Sequence, residues 1–102
     1  MNAMERYETR PGVVLTNICG EYMLLAAKAA REYCPYMTQL NESSAFLWRL
    51  LESGADRTAL ESAVLEEYEI EDPAAAREAI RNFLEQMLQL GYLLRKGEQK
   101  DE

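Results

Sequence analysis

The chain has 102 residues, 48% of them apolar, which is enough for one hydrophobic core and too few for two. Its 18 acidic against 11 basic side chains leave a net charge of −7, which opposes the phosphate neutralisation that non-specific DNA or RNA binding depends on, so no nucleic-acid partner is expected. No apolar run is long enough to span a bilayer, and the polar start MNAMERYETRPG lacks the apolar stretch of a signal peptide, so a soluble, cytoplasmic protein with no membrane contact is expected.

Residues 1–11 read as an N-terminal tail, 12–95 as one globular domain and 96–102 as a disordered C-terminal tail. Val13 to Ile18 is β-branched and apolar, Cys19-Gly20 offers a two-residue turn, and EYMLLAA follows as a second extended run; together they predict a hairpin. The alanine-rich stretch Lys28 to Tyr33 reads as a connection, because Pro35 stops any helix there and biases Cys34 toward extended backbone. Tyr36, Met37, Thr38, Gln39 and Leu40 alternate bulky and polar residues and predict a third strand at a sheet edge.

Asn41 is a good N-cap for ESSAFLWRLLES, where Phe46, Leu47, Leu50 and Leu51 share a helical face and Gly54 follows as a stop. Asp56 caps a second helix with Leu60, Val64, Leu65 and Tyr68 inward and Glu61, Glu66, Glu67 and Glu69 outward. Asp72-Pro73 starts a third, with proline where its missing N–H costs nothing. Its apolar face is Ala76, Ile80, Phe83, Leu84, Met87 and Leu88, and after Gly91 the segment Tyr92-Leu93-Leu94 packs back. The expected class is α+β: a three-stranded antiparallel sheet covered on one face by three α-helices.

Little in the chain can perform chemistry. There is no histidine, and no GxGxxG, P-loop or GxSxG motif occurs, so neither a catalytic residue nor a cofactor is expected. Cys19 and Cys34 form no CxxC pair and cannot complete a zinc site, so no metal is expected and both read as reduced, small apolar residues. Glu66, Glu67 and Glu69 read as a solvated face, and Ser43 and Ser44 as helix-start residues. Trp48 reads as core, as do Met23 and Met87, with Met37 the exception because it sits on the edge strand.

The stretches VVLTNICGEYMLL and CPYMTQLNESSAFLWRLLESGADRTALESAVLEEYEI, followed by a helix ending in LGYLL, resemble the PqqD-like family from about Gly12 to Leu94, most closely in LNESSAFLWRLLESG. The resemblance implies a winged helix-turn-helix-like fold and a non-catalytic role. The family includes the pyrroloquinoline quinone chaperone and the recognition elements that bind the leader of a ribosomally made precursor peptide beside a modifying enzyme, often a radical S-adenosylmethionine (SAM) maturase. In the family the leader adds as an antiparallel strand to the third strand, in a groove closed by the third helix. Here that implies peptide-binding residues Tyr36, Met37, Thr38, Gln39 and Leu40 on the strand and Arg77, Ile80, Arg81 and Leu84 on the helix.

The residues support that mode by themselves, since a short edge strand presents unpaired N–H and C=O groups. A competing occupant of the edge is a second copy in a strand-exchanged homodimer. Two other functions stand beside it: a winged-helix transcriptional regulator and a structural oligomerisation domain. Against the regulator, the second helix is acidic and the third balances Arg77 and Arg81 with Glu78 and Glu85.

Overall fold

A computed structural model describes residues 6–96. Strand β1 (Arg6–Thr9) leads to β2 (Val13–Ile18), β3 (Glu21–Ala26), a 3₁₀ turn (Lys28–Glu32) and β4 (Met37–Leu40). Helices α1 (Glu42–Glu52), α2 (Arg57–Glu67) and α3 (Pro73–Leu90) follow, and β5 (Leu93–Lys96) closes the described chain. The expected antiparallel sheet is present with order β2-β3-β4, followed by the three helices.

The β2–β3 hairpin turns through Cys19 and Gly20, both at positive φ, and Asn17 Oδ1 accepts from the Gly20 amide at 2.9 Å. Two positive-φ residues give the twist a two-residue hairpin requires. Along the sheet the residues alternate: Leu24, Ala26 and Leu40 are buried on the helix side, while Val14, Ile18 and Met37 on the other face stand open to solvent.

Each helix begins on a side-chain cap. Asn41 Oδ1 accepts from the Ser44 amide (2.8 Å), Asp56 Oδ1 from Ala59 (2.9 Å), and Asp72 Oδ1 from Ala74 and Ala75 (3.1 and 3.3 Å). Each such cap satisfies donors that the first helical turn leaves without partners. The apolar stripes of α1 and α3 meet the sheet through Leu47, Trp48, Leu51, Ile80, Phe83, Leu84 and Met87. On α2 only Leu60 is fully buried, and Leu65, expected inward, is 43% exposed. Five residues past Leu60, its side chain leaves the helix about 140° away from that residue's direction.

The N-terminal boundary of the fold differs from the expected tail of residues 1–11. Arg6 to Thr9 pair antiparallel with Leu93 to Lys96, and Tyr7 lies in the core. Arg10 continues the seam, its amide donating to Tyr92 O (2.9 Å) and its Nε to Gly91 O. A four-residue strand with one aromatic residue carries almost no periodic signal, and its partner lies at the opposite end of the chain. Lys96 closes β5 rather than opening a tail; the expected disorder of 97–102 lies outside the described residues.

Gly91 ends α3 at φ 94°, packed so closely on the Tyr33–Cys34 backbone that any Cβ would strike the Tyr33 carbonyl oxygen. Gly91→Ala is therefore expected to lower unfolding free energy by about 2 kcal/mol or more, a left-handed penalty compounded by a clash with backbone. Urea denaturation of the two proteins measures it, and a loss under about 0.5 kcal/mol, the usual range for a surface change, would contradict the packing described.

Candidate functional site

Strand β4 is an edge of the three-stranded sheet, and its register shows which groups face outward. The Ala26 amide donates to the Tyr36 carbonyl (2.9 Å), one step beyond the opposed pair Leu25–Met37. Hydrogen-bonded and non-hydrogen-bonded pairs alternate along an antiparallel ladder, so Thr38 and Leu40 bond to Leu24 and Tyr22 while Met37 and Gln39 do not bond to β3. The N–H and C=O groups of Met37 and Gln39 point to the open edge.

The inner side of the strand is anchored. The Tyr92 hydroxyl lies 2.8 Å from the Pro35 carbonyl, which can only accept, so Tyr92 donates there and receives the hydrogen bond of Thr38 Oγ1 at 2.6 Å. Burial pushes the Tyr92 phenol above its usual range, Cys34 adds to that and the Thr38 bond opposes it; the group stays protonated and keeps donating at neutral pH. Cys34 is a free thiol whose ionisation burial makes harder, against a smaller pull from Arg10, and Cys19 is free and exposed.

Two exposed rings flank the start of the strand. Arg10 lies over Tyr33 (4.4 Å to the ring centre) and Arg31 over Tyr36 (4.6 Å), and Met37 beside them is 46% exposed. A guanidinium over each ring holds it in place at the edge.

Helix α3 runs beside β4 in the opposite sense. Its Gly91 end touches the residues just before β4, while Ala76, Ala79, Ile80 and Phe83, earlier in the helix, line a cleft of about 670 Å³ that Asn41 closes just past the strand. Leu47 of α1 and Val64 and Tyr68 of the α2 region form its other walls. Tyr68 is held there by an edge-to-face contact with Phe46 at 5.5 Å.

The structure divides the residues expected in the site. Tyr36 to Leu40 form one edge with two outward faces of backbone, and Ile80 reaches the cleft from α3. Leu84 is buried in the core instead. Arg77 and Arg81 leave α3 on its other flank, about 160° round the helix from Ala79, and Arg81 pairs there with Glu78. Ala79, Asn82, Phe83 and Gln86 border the cleft in their place. Phe83 carried an apolar signal in the sequence, but only the course of α3 past β4 turns that side toward the cleft. Among the described residues no cluster of three or more metal-ligating side chains occurs, and no helix is long and apolar enough to cross a membrane.

These features define a small winged-helix-like domain with an open edge strand and an apolar cleft beside it. The family described as Coenzyme PQQ synthesis protein D (PqqD) matches residues 12–93, and the chain belongs to that family, whose members are non-catalytic peptide-binding elements. Two solved structures share the fold. "Lasso peptide synthetase B1 complexed with the leader peptide" superposes with a TM-score of 0.70 at 19% identity, covering 86% of this chain and 96% of its own. "TbiB1 in Complex with the TbiA(beta) Leader Peptide" gives 0.69 at 22%, covering 88% and 95%. No curated protein matches the chain by sequence.

Proposed function

We propose that this protein binds the leader segment of a ribosomally made precursor peptide and presents it to a modifying enzyme, with a radical SAM maturase as the foremost partner. The carrying observation is the outer edge of β4, unpaired among the described residues, where Met37 and Gln39 offer backbone donors and acceptors and a mainly apolar cleft begins at Asn41, just past the strand. An extended peptide that adds to such an edge gains main-chain hydrogen bonds, and side-chain pockets alongside supply selectivity. Both structural relatives are complexes with a leader peptide, which supports the same use of the fold here. Tyr36, Met37, Gln39 and Ile80 would touch the ligand; Thr38, Leu40 and Leu84 hold the strand and helix that present them. Arg77 and Arg81 would add at most a weak, salt-screened attraction from the far flank. Glutamates on α2 and the Arg81–Glu78 pair oppose phosphate binding, which disfavours a DNA-reading role.

The test is amide hydrogen exchange with the short peptides encoded in the neighbouring reading frames. In the free protein the amides of Met37 and Gln39 should exchange fast and those of Thr38 and Leu40 slowly, and the right peptide should protect Met37 and Gln39. Protection of both without peptide, growing with protein concentration, would give the edge to a second copy of the chain. Peptide binding that leaves both amides unprotected would sink strand addition. The enzyme is sought by co-purification with the radical SAM product of the same gene neighbourhood, and its failure to associate would reject that partner.

A further inference from the structure

The cleft beside β4 has an unequal charge environment. Its walls are mainly apolar, with Asn41, Ser43, Ser44, Asn82 and Gln86 as uncharged polar residues, and among the described residues Glu69 is the one charged residue lining it. At its outer end it passes into a second hollow of about 460 Å³ that shares Glu69, Ile70 and Ala76 and adds Glu71 and Asp72. Asp72 is occupied in capping α3, which leaves Glu69 and Glu71 as the carboxylates at this mouth, both exposed and without an ion pair among the described residues. Among the described residues no arginine or lysine lines either hollow.

Direction follows from the strand. A peptide paired antiparallel with β4 runs from the Leu40 end toward Met37, so the residues that precede its paired segment pass Asn41, then the apolar cleft, then the acidic mouth. We infer that the ligand of this protein carries, immediately N-terminal to its strand, a large apolar or aromatic side chain preceded by lysine or arginine. This rests on the strand-addition reading and adds to it a chemical class of ligand. The cleft, at about 670 Å³, falls in the range of small-ligand pockets and holds more than one side chain. A cation at the mouth meets two exposed carboxylates, whereas an acidic residue there meets like charge.

Three synthetic peptides with C-terminal fluorescein test this by anisotropy. All share the strand segment Thr-Val-Thr-Val-Thr, preceded by Lys-Lys-Phe, Glu-Glu-Phe or Lys-Lys-Ser. The first should bind about fivefold tighter than the second at low ionic strength, a gap that closes as salt is raised. It should bind roughly tenfold tighter than the third, which cannot fill the cleft. In Glu69→Lys/Glu71→Lys, both exposed positions that tolerate exchange, the order of the first two should reverse. Glu8→Lys/Glu32→Lys, with the same change in net charge elsewhere, should keep it.

Equal binding of the Lys-Lys-Phe and Glu-Glu-Phe peptides would overturn the inference. So would a preference that survives charge reversal at Glu69 and Glu71, or no binding by any of the three. Gln39→Pro separates the two readings. If it loses all three peptides, the edge is engaged; if it binds them as before with the same preference, strand addition fails and the cleft's charge selection stands alone.

Discussion

Gln39→Pro is expected to abolish peptide binding with little change in stability, and Thr38→Pro, one residue away, is expected to destabilise the fold. The asymmetry follows from the alternation of donors along β4. The Thr38 amide bonds to β3, and its hydroxyl is tied to Tyr92, which also grips Pro35. Proline at 38 removes both bonds in a strand of four residues and costs on the order of 3 kcal/mol. The Gln39 amide faces the open edge, where proline is tolerated. Proline at 39 restricts residue 38 to the extended conformation it already has. What is lost besides the outward donor is an exposed hydrogen bond from Gln39 Nε2 to Glu21 (3.1 Å), worth little to stability. Thermal unfolding and anisotropy with the Lys-Lys-Phe peptide measure both effects. A Gln39→Pro protein that binds normally, or a Thr38→Pro protein as stable as the parent, would show that the register at this edge is wrong.

Trp48→Ala should cost about 3 to 5 kcal/mol, a third or more of the stability of a typical small domain. Trp48 has no exposed surface, stands edge-to-face with Tyr92 at 6.5 Å, and donates from Nε1 to Glu52 at 3.1 Å. It therefore supports the tyrosine that fixes the inner side of β4, so its loss should also loosen the edge in the molecules that remain folded. Trp48→Phe, which keeps an aromatic body without the N–H, should recover most of the stability. Urea titration followed by circular dichroism is the suitable measurement, because Trp48 is the chain's one tryptophan and its fluorescence is removed with it. Lost binding at an unchanged melting temperature would instead mean that Trp48 touches the ligand.

Both effects act on the same assembly of Trp48, Tyr92, Thr38 and β4. Only part of it could be read from the chain. Trp48 lies on an amphipathic helix among leucines, which marks it as core, and Tyr36 to Leu40 alternate as an edge strand would. Nothing near Thr38 in sequence announces Tyr92. The family resemblance implies Arg77 and Arg81 in the groove with Ile80, but a helix turns residues one apart through about 100°, so neighbours in sequence need not share a face. Leu65 failed to turn inward for the same reason.

Local chemistry by itself determined the hairpin at Cys19-Gly20, the caps at Asn41, Asp56 and Asp72, the stop at Gly91 and the inward stripes of α1 and α3. These depend on interactions within a few residues, so the residue types announce them. Tertiary structure alone decided the pairing of Arg6–Thr9 with Leu93–Lys96, the outward direction of the Met37 and Gln39 amides, and the side of α3 that lines the cleft. Each of these depends on a partner far along the chain. Strand register comes from burying Leu24, Ala26 and Leu40 together, and the course of α3 from the close seat of Gly91 on Tyr33. Such contacts form only when distant segments are packed against one another, so no periodicity in the separate segments could reveal them.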